Sequence, residues 1–187
     1  MKKEKLWTRN FRLVILASAM GTVGSIAGGF ALAFLVFDET GSTLASALIV
    51  AIQLLPHLLL PVLVAPFMDR LPRKAFLVAG DAANAVLLAG MGLLFYEFSY
   101  VGYLAISLLL ACLGAVDELA FTSIYPELIP EGAEQKGYAV SSMLYPVLKV
   151  IMTPLAAILL DTLGVAWILI AQSGLSLAAT VTESFIR

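Results

Sequence analysis

Phe67-Met68-Asp69-Arg70-Leu71-Pro72-Arg73-Lys74 carries four charges in its last six residues and lies between two long apolar runs. The whole chain of 187 residues is 61% hydrophobic and only 13% charged. A water-soluble domain has roughly a quarter of its residues charged. With about half that share, most of this surface must meet something other than water, and the bilayer is the simplest candidate. The charged stretch then reads as a short loop at a membrane face, joining two spans.

Working outward from that loop, apolar runs of about 20 residues, each long enough to cross hydrocarbon, recur along the chain. Six spans are expected, at about 11–37, 43–68, 75–96, 100–125, 137–160 and 165–182. Backbone groups in lipid must be satisfied within their own segment, so the spans are helices. No period-two alternation supports a barrel. The first apolar run is too long for the core of a cleaved signal peptide and reads as a retained span. Basic residues fall on the N-terminal arm (Lys2, Lys3, Lys5, Arg9, Arg12), in the opening stretch (Arg70, Arg73, Lys74), at Lys136 and at Arg187. With six spans all of these share one side. The positive-inside rule makes it the cytoplasm, with both termini there. The fold class is therefore an all-α multi-pass membrane bundle in the cell membrane, with the lipid bilayer as its first partner.

The bulk numbers exclude several chemistries. A net charge of −2 with no broad basic patch argues against nucleic acid. One cysteine, Cys112, rules out an internal disulfide and a thiolate cluster, and reads as a packing residue. One histidine, His57, rules out a multi-histidine metal site. No GxxxxGK[ST] loop is present, so no nucleotide chemistry and no cofactor are expected.

The opening stretch holds more than a topological anchor. Asp69 ends a helix, where the dipole disfavours negative charge unless cations neutralise it, and Arg70 and Arg73 are near enough to do so. Pro72 suits the first turn of the next helix. "DRLPRK" resembles the signature loop of the major facilitator superfamily, Gly-x-x-x-Asp-Arg-x-Gly-Arg-Arg or Lys, found between the second and third spans. Asp69, Arg70, Arg73 and Lys74 match it; Ala65 and Pro72 stand in place of its two glycines. "VAGDAANA" (78–85), "IYPELIPEG" (124–132) and "YAVSSMLYPV" (138–147) resemble the drug- and macrolide-efflux-like branch. There, Asn84 replaces a frequent arginine, and Ala139-Val140-Ser141 replaces Ala-Asn-Ser. The resemblance is to the N-terminal six-helix half of a twelve-span transporter. It implies that Asp69, Arg70, Arg73 and Lys74, with Asp81 behind them, form a cytoplasmic gate. It also implies a second six-helix half as partner, in the full chain, in a separate chain or in a homodimer.

Charges at mid-bilayer cost at least ~2.5–3.5 kcal/mol each on the insertion scale, so each needs a reason. Asp117 and Glu118 lie ~10 Å and Lys149 ~18 Å from the cytoplasmic side at ~1.5 Å per residue. If the fourth and fifth spans are antiparallel neighbours, Lys149 pairs with one of the two acids. That pair is either structural or a substrate- or coupling-ion site. His57, with Gln53 one turn earlier, is either a hydrogen-bonded packing residue or a proton relay. Pro56, Pro61 and Pro66 in the second span, and Pro146 and Pro154 in the fifth, each remove a backbone hydrogen bond and bend their helices. Gly21, Gly24, Gly28 and Gly29 stripe the first span with small residues that permit close helix approach. "MTPLAA" (152–157) keeps the proline of an antiporter signature but has Thr153 for its glycine, and Lys149 stands where another glycine is expected.

The expected function is half of a secondary transporter. It would move a small amphiphilic solute by alternating access, outward more readily than inward. The alternative is a non-transporting membrane scaffold. An intramembrane protease is the third reading. "AGD" (79–81) supplies only half of its Gly-x-Gly-Asp motif, and no Gly-x-Ser-x-Gly elbow exists, so the chain is not expected to be an enzyme.

Overall fold

A computed structural model of the protein describes residues 6–68, 73–94 and 99–185. It contains six α-helices and no strand among the described residues: α1 (Arg9–Thr40), α2 (Thr43–Met68), α3 (Arg73–Leu94), α4 (Tyr100–Leu128), α5 (Glu134–Leu163) and α6 (Val165–Ser184). Five of them are long and apolar enough to cross a membrane. The described apolar stretch of α3, Leu77–Leu93, is shorter.

Several helices overrun the spans expected from hydropathy, because helix continues past the hydrocarbon into the interface. Asp38-Glu39-Thr40, expected as a turn, completes α1. That helix stops only at Gly41, whose φ of 63° is left-handed and whose N–H donates to Phe37 O. A left-handed glycine is the cheapest way to close a helix. At the other end, Thr8 accepts a hydrogen bond from Phe11 N at 3.2 Å. Ser42 and Ser99 do the same for α2 and α4, accepting from Ala45 N and Gly102 N. The connection expected at 126–136 is shorter than its sequence suggests: α4 runs through Pro126 to Leu128 and α5 begins at Glu134. The helix of α2 likewise continues through Pro56, Pro61 and Pro66.

α1 is the hub, packing on α2, α4, α5 and α6. α3 packs on α4 and α6, α2 on α1 and α4, and α5 on α1 and α6. Exchanging the first three helices with the last three reproduces this neighbour pattern, the exceptions being α1 with α2 and α5 with α6. One core, at the end of the bundle where α1 and α3 finish, gathers Leu32, Val36, Ile49, Leu88, Met91, Tyr103 and Leu169. At the opposite end Phe11 and Val14 meet Tyr125, Ile129 and Ala133, beside Leu77, Ala120 and Ile124.

Lipid tails are as apolar as leucine, so burying apolar side chains supplies little drive for helices to associate inside a bilayer. Close backbone approach and interhelical hydrogen bonds must do more of it. Gly24 and Gly28 of α1 face Gln172 of α6, and a Cβ at Gly28 would overlap the Gln172 amide. Gly21 and Gly29 have open space beside them, so only half of the glycine stripe is a packing surface. Ser46 Oγ donates to Ala33 O at 2.6 Å, Ser173 Oγ to Ala85 O at 2.7 Å, and Tyr125 Oη to Gly137 O at 2.6 Å. Each ties two elements together, a contribution on the order of 0.6–1.7 kcal/mol in a membrane.

The outward faces of α2 and α5 are bare. Leu44, Leu54, Leu58, Val62 and Leu63 on α2, and Met143, Val150, Ile151 and Ile158 on α5, are all exposed. Only Gly137, Ala156 and Leu160 of α5 are buried. So large an apolar surface is untenable in water and requires lipid or another apolar partner.

Candidate functional site

Buried polar groups mark the places where a membrane bundle departs from simple packing. Asp81 of α3 is 7% exposed and Glu183 of α6 is 4% exposed. Asp117 of α4 is half-buried and lies beside Gly80 of α3, where a Cβ would stand 3.7 Å from Asp117 Oδ1, an ordinary contact distance. The three carboxyls, from three helices, are within electrostatic reach of one another. Asp117 Oδ1 and Glu183 Oε2 are buried without a hydrogen-bond partner among the described residues. Like charges gathered in low dielectric repel strongly. Three acidic side chains facing one low-dielectric region make this the leading candidate for a functional site. No group of three or more histidine, cysteine or acidic side chains among the described residues is arranged to hold a metal ion.

Glu183 was hidden in the sequence because the sixth span appeared to stop at residue 182. Its signal is the stripe Ile168, Leu169, Ser173, Ser176, Ala179 and Glu183, the buried face of α6 at helical spacing. Extending that stripe by one turn puts Glu183 inside the bundle.

The expected pairing of Lys149 with Asp117 or Glu118 is not what the structure contains. Consecutive helices need not be neighbours along their length: α5 packs on α1 and α6 and meets α4 near Tyr125 and Gly137, away from Lys149. Lys149 instead lies exposed on α5, with its ammonium 5.3 Å from the centroid of the Tyr145 ring, one turn earlier on the same helix. Glu118 finds a different partner. His57 of α2 places Nε2 at 3.8 Å from Glu118 Oε2, the two side chains being 40% and 67% exposed. That is too long for a hydrogen bond and becomes an ion pair when the imidazole is protonated. His57 Nδ1 donates to the Gln53 carbonyl at 2.9 Å, which orients the ring and fixes which nitrogen faces Glu118. Gln53 thus contributes its backbone. Gly114 of α4 lies beside the ring: a Cβ there would stand 3.8 Å from His57 Nε2, an ordinary contact distance.

Of the charged loop, Asp69 and Arg70 lie outside the described residues. Arg73 and Lys74 open α3, and their side chains are likewise outside the description. Asp81 follows two turns into that helix.

Two arrangements therefore sit within the spans: three carboxyls from α3, α4 and α6, with Asp81 and Glu183 buried and Asp117 half-buried, and an exposed His57–Glu118 pair across α2 and α4. No curated protein and no solved structure matches the chain. Residues 5–183, nearly its whole length, match the family model described as transmembrane secretion effector, of the major facilitator type. With six helices, bare apolar flanks and charge held inside the bundle, the chain belongs to that family of membrane transporters.

Proposed function

We propose that the protein works as the N-terminal half of a secondary transporter that exports a small amphiphilic solute by alternating access. The observation that carries this reading is the cluster of Asp81, Asp117 and Glu183. Repulsion among three acids is relieved by binding a cation, a proton being the smallest, and that event is what couples a gradient to a change of shape. The solute passes along the open side of α2, α4 and α5, where His57, Glu118 and Lys149 offer polar contacts in an apolar wall. The charged loop Asp69–Lys74 closes this route at the cytoplasmic end, with Asp81 behind it, and both termini are cytoplasmic. A second six-helix half covers the bare faces of α2 and α5, in a continuing chain, a separate chain or a second copy. The chain performs no catalysis.

The test is reconstitution into liposomes with an imposed proton gradient and a panel of fluorescent amphiphiles. Gradient-driven flux is expected from the wild type. Asp117→Asn and Glu183→Gln are each expected to lower it at least tenfold while the protein still purifies as a folded, monodisperse species. If no amphiphile moves under any gradient, with or without a second half, the protein is a scaffold and the proposal is wrong.

A further inference from the structure

Lipid can cover the apolar faces of α2 and α5 without help from protein, so those faces alone do not call for a partner. The charges set among them do. Lys149 lies exposed on α5; among the described residues its ammonium meets the Tyr145 ring and no acid within ion-pair distance. Glu118, with 67% of its side chain exposed, meets His57 of its own chain only at 3.8 Å. A charge bare to hydrocarbon is costly and is matched by an opposite charge or by water. The two groups also stand at similar depth. Counted at ~1.5 Å per residue from the end of the bundle that holds Phe11 and Tyr125, His57, which marks the level of Glu118, lies ~16 Å above Met68, and Lys149 lies ~18 Å above Gly137. Both helices flank the hub, α2 between α1 and α4 and α5 between α1 and α6.

From this arrangement we propose that a second copy of this chain covers the bare faces, related to the first by a two-fold axis along the membrane normal. In that pair α2 of each copy faces α5 of the other, and Lys149 forms an ion pair with Glu118 of the second copy, once on each side of the axis. The inference rests on the transport reading, which calls for a second six-helix half, and it names that half. A two-fold contact uses one patch twice, so the patch must carry both members of every pair. This one does: the base is on α5 and the acid stands beside α2. Copies inserted in the same direction keep each residue at its own depth, so the matching levels of Lys149 and Glu118 are what such a contact requires. Apolar packing supplies little drive in lipid, and the ion pair therefore decides which faces meet and in which register.

The experiment is energy transfer between copies fused at the N-terminus to a donor or an acceptor fluorescent protein, in phosphatidylcholine liposomes over a range of protein-to-lipid ratios. The wild type is expected to give saturable transfer that fits a dimer. Lys149→Gln and Glu118→Gln are each expected to weaken association about tenfold, the size of one partly screened ion pair. Lys149→Glu and Glu118→Lys set like charges across the contact and are each expected to weaken it further. Combined in one chain, they exchange the two charges and are expected to restore association to within about threefold of wild type. Val86→Ala, on the exposed face of α3, is expected to change it by less than about twofold. Circular dichroism of each variant separates loss of helix from loss of contact. A wild type that stays monomeric at every ratio overturns the proposal and leaves the bare faces to lipid or to a separate half. Association that ignores both glutamine variants overturns it too, as does a charge exchange that restores nothing with helix content intact. No flux is read, so a failed dimer and a failed transporter are told apart.

Discussion

The seam between α1 and α6 and the outer faces of α2 and α5 are built on opposite rules. At the seam two backbones approach closely enough that Gln172 occupies the space a side chain at Gly28 would need and presses on Gly24. On α2 and α5, leucine, valine and isoleucine project with nothing described against them. Inside lipid, apolar character alone does not separate a packed face from an open one. The separation comes from side-chain size and from where polar groups point.

Breaking the seam is expected to have the largest effect. Gly28→Leu drives a branched side chain into the Gln172 amide. It should cost at least about 2–3 kcal/mol, read as a lower thermal midpoint in detergent. Pairing it with Gln172→Ala should restore part of that loss, and absence of any rescue would separate the two residues. A smaller change is expected for Ser173→Ala, which removes the hydrogen bond from α6 to Ala85 O of α3: about 1 kcal/mol in the same assay. Tyr125→Phe, which frees the Gly137 carbonyl, should fall in the same range, about 1 kcal/mol, with the loss confined to the end where α4 meets α5. On the open side, Lys149→Ala is expected to change stability by less than about 0.5 kcal/mol while reducing solute flux in liposomes. A large stability loss there would mean that the face of α5 is packed, and would erase the contrast.

Much of the fold was legible because hydropathy reports lipid contact directly. Six apolar runs became six helices. Helix ends were less legible, since Asp38, Glu39 and Thr40 are polar yet helical: interface water tolerates polar side chains without ending the backbone pattern. The candidate site was legible by residue and not by partner. Asp81, Asp117, Glu118, His57 and Lys149 stood out by charge. Which of them meet depends on helix neighbours, and around Lys149 α5 lies away from its predecessor α4. Gln172 gave no charge signal at all, and its importance comes from the glycines opposite it.

The neighbour pattern that survives exchanging the first and last helix triplets has a mechanical corollary. Among the packed pairs that survive the exchange, much the same framework is offered from above as from below. On the proposed transport reading, such a framework has two related postures, and a bound cargo or ion that favours one of them selects it.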